Sequence, residues 1–291
     1  MEHVPVMVEE TLKHLNPERG GIYLDCTVGL GGHSKKILEA SSPDGKLIGI
    51  EKDEESLLIA KKNLENFGDR ATLFRGDFRD VFNLNLNLSK IKGVLFDLGI
   101  SSYQLSVSER GFSHTFNGPL DMRIDRNQKK TAYEIVNHYS EKDLKKIFEG
   151  FMERRWIYKV VREILKKRKE KRIESTEELR LIIEKVFHWK PKRGRTHPAQ
   201  KVFLAIRNEV NGELDSLGKF FIDFFRALQE GCRIVIISFH SLEDRIVKNA
   251  FKELSSNYLS ILTKKPVCPS KEEVIRNPRA RSSKLRAAVR I

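Results

Sequence analysis

The first third of the chain alternates short β-branched runs with helix-period patterns, the arrangement of a parallel α/β domain. Gly21–Cys26, Lys46–Ile50, Ala71–Phe74 and Gly93–Phe96 read as strands, and Ser34–Glu39 and Glu54–Phe67 as helices between them. In the second helix Leu57, Leu58, Ala60, Lys61 and Leu64 supply an i, i+3, i+4, i+7 face. The brief Asn83–Leu88 alternation reads as a connection. From about Thr115 to Gly212 no strand is predicted. A loop-like stretch, His114–Lys130, leads into helices whose starts carry capping-box spacings, Ser140-Glu-Lys-Asp143 and Ser175-Thr-Glu-Glu178. Leu144, Ile147, Phe148 and Phe151 form one apolar stripe, and Val160, Val161, Ile164 and Leu165 another; Pro191-Lys-Arg-Gly194 reads as a loop. Strand pattern returns most clearly at Arg233–Ser238, then at Tyr258–Leu262 and Leu285–Ile291. The predicted organisation is one α/β domain, 1–114 with 213–291, interrupted by an all-helical insertion, 115–212.

Composition narrows the class. Hydrophobic residues at 40% exclude a disordered chain, and charged residues at 32% exceed the usual share of about 25%. No window approaches 18 consecutive apolar residues, so no membrane span is expected. Met1–Pro5 carries no signal-peptide pattern. Cys26, Cys232 and Cys268 are odd in number and widely spaced, which argues against a disulfide framework or a zinc cluster. A reduced, cytoplasmic protein without a metal is the expectation.

The formal net charge of +14 points to an anionic partner, most often nucleic acid. It is unevenly spread. Met152–Lys201 holds 17 Lys and Arg against 7 Asp and Glu, and Lys264–Ile291 holds 9 against 2. The remainder is slightly negative, at −3. Trp156, Tyr158, His188 and Trp189 are interleaved with the first basic stretch, as in proteins that hold single-stranded RNA by phosphate neutralisation and base stacking. A solvated helix with core aromatics is the competing reading of those residues.

The chemistry concentrates at strand ends. Asp25-Cys-Thr-Val-Gly29-Leu-Gly31-Gly32-His33 follows a strand and precedes a helix, and glycines there let backbone approach a ligand closely. Glu51 ends the second strand, where a carboxylate can accept both hydroxyls of a ribose. The dinucleotide fingerprint G-x-G-x-x-G is not met, because Ser34 stands at its last position. Asp25 would repel a pyrophosphate but attract an ammonium or sulfonium group, which favours S-adenosylmethionine and methyl transfer. Asp77 and Phe78, after the third strand, could hold adenine by its amino edge and its face. Asp97 ends the fourth strand, where amino-methyltransferases place an acceptor for the hydrogens of the target amine; capping the next turn is its plainer role. His240 ends the fifth strand beside the expected cleft, although Ser241-Leu-Glu-Asp244 also has capping-box spacing and could chiefly start a helix. Cys26 and Cys232 read as packing residues, and Cys268, followed by Pro269, has the wrong order for a covalent cytosine nucleophile.

Taken together these stretches resemble the MraW/RsmH family of bacterial methyltransferases acting on cytosine N4 in small-subunit ribosomal RNA. The resemblance runs through Asp25–His33, Asp97–Leu105, Glu109–Ser113, Gly118–Arg123, His197–Ala199, Phe203–Leu214, Ile237–Arg245 and Arg279–Arg286. It implies a Rossmann-like S-adenosylmethionine-dependent core, a mostly parallel seven-stranded sheet, with the helical insertion recognising substrate. It also implies a cofactor site of Gly31, Gly32, His33, Glu51, Phe78, Asp97 and Gln104, to which Asp25, Gly29 and Asp77 add from the reading above. The family commonly has Asp where this chain has Glu51 and Gly where it has Cys26. The implied partner is 16S ribosomal RNA, within the small subunit, rather than DNA or a membrane, with S-adenosylhomocysteine as product. A ribosome-assembly factor with a vestigial cofactor pocket and a methyltransferase of another substrate class are the alternatives. Oligomeric state is not readable from the sequence.

Overall fold

The computed structural model describes residues 5–192 and 196–291; Arg193 and Gly194 of the expected loop, and the start of the N-terminal stretch, lie outside the described residues. The strands are β1 (Ile22–Asp25), β2 (Lys46–Glu51), β3 (Ala71–Arg75), β4 (Ile91–Asp97), β5 (Arg233–Ser238), β6 (Leu259–Ile261) and β7 (Lys284–Arg290). The helices are α1 (Val8–Leu15), α2 (Gly32–Ala40), α3 (Glu54–Asn63), α4 (Ser102–Ser106), α5 (Ala132–His138) and α6 (Glu141–Phe148). They continue with α7 (Arg154–Glu170), α8 (Thr176–Phe187), α9 (Ala199–Asn211), α10 (Leu217–Ala227), α11 (Ser241–Leu254) and α12 (Lys271–Arg276). The chain divides into two compact units, residues 1–99 with 214–291, and residues 100–213.

In the first unit the sheet order is β3-β2-β1-β4-β5-β7-β6, that of S-adenosylmethionine-dependent methyltransferases. β3, β2, β1, β4 and β5 are parallel, while β7 runs antiparallel between β5 and β6. Parallel strands covered on both faces are apolar almost throughout, and the inner residues of β4 and β5 are buried accordingly. One face packs on α10, whose Phe220, Phe221, Phe224 and Phe225 recur on one side of the helix. Phe96 of β4 meets Phe221 edge-on at 5.2 Å and Phe224 at 5.8 Å. The other face, through Leu95, Val235, Ile237 and Leu285, shares a core with Leu15 of α1 and Ile37 of α2.

Element ends differ from expectation where local chemistry intervenes. The helix expected over Glu54–Phe67 stops at Asn63; a 3₁₀ segment follows and is broken at Gly68, whose φ is 53°. Ser175 and Glu178 form the reciprocal capping box that opens α8. At α6 Ser140 accepts from the Asp143 amide and its hydroxyl donates to the Asp143 carboxylate at 2.6 Å. Asp143, one methylene shorter than Glu, thus bonds the serine side chain and leaves the box half made. At α11 the box lies one residue earlier than expected: His240 is the N-cap and Glu243 its partner.

The second unit has its own core, in which Ile135, Leu144, Phe148, Val160, Ile164 and Ile183 are fully buried. It begins at Ile100 rather than at residue 115 because Ile100 and Leu105 pack on that core. The irregular stretch after Gly111 is held by side chains that replace missing ladder bonds. Arg110, 1% exposed, donates to the carbonyls of Arg123 and Ile124 at 3.0 Å each. Asn211 accepts from the Ile124 amide and donates to the Met122 carbonyl, both at 2.8 Å. Among the described residues no helix is long and apolar enough to cross a membrane.

Phe221 is fully buried against β4. Phe221→Ala therefore costs the first unit about 3–5 kcal/mol in denaturant unfolding. Ile275→Ala, at a residue 79% exposed, stays within about 0.5 kcal/mol.

Candidate functional site

Parallel strands present their carboxyl ends on one edge of the sheet, where open α/β folds bind ligands. β3, β2, β1 and β4 are neighbours, and each is followed or ended by an acid: Asp77, Glu51, Asp25 and Asp97. The turn after β1 is tied to the adjoining strands by three bonds. The Cys26 amide donates to the Leu95 carbonyl at 2.9 Å and the Val28 amide to the Ile50 carbonyl at 3.1 Å. The Asp97 amide donates to Thr27 Oγ1 at 2.6 Å. Gly29 and Gly31 have φ of 55° and 86°, a left-handed backbone open to glycine without cost. A Cβ at Gly32 would stand 3.1 Å from Pro5 Cγ, so the segment over the turn fits only a bare backbone closely.

Each acid is managed differently. Glu51 is partly buried, and its oxygens accept from the Gly29 and Asp53 amides at 2.7 Å each. Burial outweighs those two bonds and raises its pKa to about 7. Asp25, expected to meet a cationic ligand group, is 0% exposed. Its oxygens take the Ser34 hydroxyl at 2.6 Å and the Thr27 amide at 3.1 Å, so it shapes the turn rather than offering a surface to a ligand. Burial raises the Asp25 pKa.

Asp77, expected at the amino edge of adenine, is taken up by the chain itself. Oδ1 accepts from the Arg79 amide and Nε, and Oδ2 from Arg79 Nη2 at 2.6 Å and Lys52 Nζ at 3.2 Å. Burial opposes ionisation there, but these cations and amides prevail and take the pKa down to about 2. Phe78 beside it is half-buried, edge-on to Phe96 at 5.4 Å and tilted on Phe220 at 5.3 Å.

His33 and Asp97 come together across the turn. His33 Nε2 stands 3.5 Å from Asp97 Oδ2, and His33 is 6% exposed. Burial alone would lower the imidazole pKa; the Asp97 carboxylate, helped by Asp25 and Glu273, reverses this and raises it. His33 Nε2 and Asp97 Oδ1 are buried without a hydrogen-bond partner among the described residues. A cofactor rich in donors and acceptors fits such orphaned atoms, because leaving them unmatched is costly. Glu273, which no sequence motif marks, accepts from the Met7 amide at 2.6 Å and so ties α12 to the start of α1.

His240 is engaged in its cap. Nδ1 accepts from the Glu243 amide at 3.4 Å, and Nε2 lies 3.0 Å from Glu243 Oε1. Gln104 belongs to the second unit, where its amide oxygen accepts from the Ser101 amide at 2.8 Å and closes the capping box of α4. Cys26 and Cys232 are buried, and burial pushes both thiols up, Cys232 to about 12, as suits packing residues. Among the described residues no His, Cys, Asp and Glu group could hold a metal ion.

The basic stretches are partly structural. The C-terminal one includes β7, where Arg286, 7% exposed, pairs with Asp244 at 2.6 Å and Lys284 with the same carboxylate at 3.5 Å. Of the aromatics read as base-stacking candidates, Trp156 lies flat on Phe187 at 4.2 Å and Trp189 meets His197 at 4.9 Å. Tyr158 is 45% exposed. His197 itself is fixed by Glu184 at 3.0 Å, and Asn208 donates to the Leu204 carbonyl at 2.9 Å.

Comparison with known proteins places the chain among relatives matched along its whole length. Ribosomal RNA small subunit methyltransferase H of Caldicellulosiruptor saccharolyticus is 45% identical, with 100% of this chain and 99% of that protein covered. The proteins of the same name from Persephonella marina and Kosmotoga olearia are 44% and 46% identical, over 100% and 99% of this chain and 100% and 97% of their own lengths. The model of the MraW methylase family matches residues 1–291, and the chain belongs to that family.

Proposed function

We propose that this protein transfers a methyl group from S-adenosylmethionine to the exocyclic N4 of a cytosine in 16S ribosomal RNA, working on RNA of the small subunit in the cytoplasm. The observation that carries the reading is the orphaned Asp97 oxygen at the end of β4, in a chain that matches its family throughout. S-adenosylmethionine supplies an electrophilic methyl on a sulfonium centre. Glu51 suits the ribose hydroxyls, since each of its oxygens keeps a lone pair beyond the amide it already accepts. The first-turn amides of α2, which no helix satisfies internally, suit a carboxylate. Gly29, Gly31 and Gly32 let the backbone approach, and the Phe78 ring offers a face for adenine.

A cytosine amine is a poor nucleophile because its lone pair is delocalised into the ring. Asp97 Oδ1 accepts one of its hydrogens and so localises the lone pair as positive charge develops on nitrogen. His33 Nε2 stands 3.5 Å from Asp97 Oδ2 on the other side. Asp25, sealed from solvent, holds the turn through Ser34 and Thr27. The base must leave its stack to reach such a site. His240, held by Glu243, keeps the start of α11 in place.

Wild-type protein incubated with labelled S-adenosylmethionine should label small subunits or 16S RNA, and digestion should return N4-methylcytidine. Cofactor binding without transfer to either substrate overturns the proposal. Asp97→Asn should lower kcat by roughly 10²-fold or more, and near-normal turnover removes Asp97 from the chemistry.

Glu51 gives a pH signature of its own. Its folded value, about 7, lies above the unfolded value of 4.5, so it lends stability below 4.5 that is lost as pH rises through 7. Cofactor-free protein should therefore lose stability across that window, while cofactor affinity tightens several-fold as the carboxylate forms, since bonds to charged acceptors are stronger. Glu51→Gln should flatten both profiles, read by thermal melts and calorimetry.

A further inference from the structure

α7 carries two kinds of cation. Arg155 pairs with Glu153 at 2.8 Å, Lys167 with Glu170 at 2.8 Å, and Arg168 donates to the Val136 carbonyl at 3.0 Å. Lys159, Arg162, Lys166 and Lys169 are exposed and have no carboxylate partner among the described residues. Their spacing of three, four and three residues keeps them within roughly 80° of the helix circumference and spreads them over about 15 Å. They line an open groove of about 730 Å³ floored by Leu165. The groove's two acids do not cancel this charge: Glu141 is bound by Lys145, and Glu170 by Lys167. Unpaired like charges in one row repel one another, a cost that a polyanion lying along the row would remove.

We infer that this row is a rail for the phosphodiester backbone of the RNA substrate, gripping phosphates and reading no base. The aromatics decide the second half. The Trp156 ring is stacked on Phe187 and has Lys159 4.9 Å from its centroid; Tyr158 has Lys145 at 4.4 Å and Arg154 at 5.7 Å. Trp156 is engaged within the protein and Tyr158, at the groove's edge, already holds two cations, so charge is what the groove chiefly offers. Bonds to phosphate fix position and affinity and carry no sequence information. The rail rests on the methyl-transfer reading only for the identity of its RNA.

The test uses the full chain with Lys159, Arg162, Lys166 and Lys169 all changed to Gln. Binding of a labelled 16S fragment and of a scrambled RNA of equal length is followed across a potassium chloride series. The slope of log affinity against log salt should fall by about 0.7 for each phosphate that is no longer neutralised, about 3 in all. Both RNAs should weaken alike. Cofactor affinity and melting temperature should hold, and KM for RNA should rise with kcat kept at saturation. A charge-matched variant, with the paired Arg155, Lys167, Lys171 and Lys185 changed to Gln, should change the slope far less. An unchanged slope in the first variant, an equal loss in the second, or weakening confined to the 16S fragment each overturns the rail alone. A wild-type chain without salt-dependent RNA affinity overturns the rail, while the methyl-transfer reading stands or falls by the labelling of small subunits or 16S RNA.

Discussion

Strands of one sheet lie about 4.8 Å apart, and this protein sets an acid at the end of each of four neighbours, Asp77, Glu51, Asp25 and Asp97. These acids feel one another: Asp25 adds to the rise at Glu51, and Asp97 to the rise at Asp25. The edge of the sheet is stable only because each acid is relieved in its own way. Asp77 is neutralised by Arg79 and Lys52, and Glu51 shares its charge between two amides and holds its proton to about 7. Asp25 is buried on a hydroxyl and an amide, and Asp97 faces His33. The outer acid is thus committed to salt bridges, while the inner ones remain incompletely compensated. A ligand that brings positive charge and hydroxyl donors to this edge removes repulsion as it binds, and the turn after β1 supplies the closeness that makes the effect large.

The same charge logic divides the molecule. In the first unit the basic tail is partly spent on the sheet: Lys284 and Arg286 on Asp244, and Arg290 on the Tyr258 carbonyl. In the second unit α7 keeps four cations unspent while their neighbours pair with acids. Net charge summed along the sequence weighs these groups equally; the folded chain, which pairs some and leaves others, does not. The surplus that matters for an anionic partner is the unpaired part.

Much of the fold is legible in the sequence because period-2 and period-3.6 patterns survive burial. β5 matches its predicted bounds, Arg233–Ser238, and the strand-poor middle is helical. α10 escapes such a reading, because Phe220, Phe221, Phe224 and Phe225 make an apolar cluster that period alone does not assign to a helix. α1 escapes it as a short helix entered through a left-handed Met7 without a side-chain cap. The site is legible as a set of strand-end acids, but not as a division of labour. Asp77 precedes Phe78 as a ligand pair would, yet Arg79, two residues on, claims it. His240 lies just outside the expected Ser-Leu-Glu-Asp box, because an imidazole nitrogen can take the place of a cap hydroxyl.

What separates Asp97 from its neighbours is therefore an imbalance of partners rather than its position alone. Glu51 and Asp25 each spend both oxygens on donors of this chain. Among the described residues, Asp97 Oδ1 meets no donor, and His33 stands 3.5 Å from Oδ2. A carboxylate with one buried oxygen in that state is held by its surroundings at a cost and gains the most when a donor arrives. The raised pKa of His33 fits the same account, since an imidazole buried at 6% exposure keeps its proton only where uncompensated negative charge persists nearby. An amine seated between the sulfonium methyl and Asp97 would supply the missing donor at the moment its nitrogen becomes positive. The part of the strain that belongs to Asp97 is then relieved along the reaction coordinate, after cofactor binding has relieved the rest.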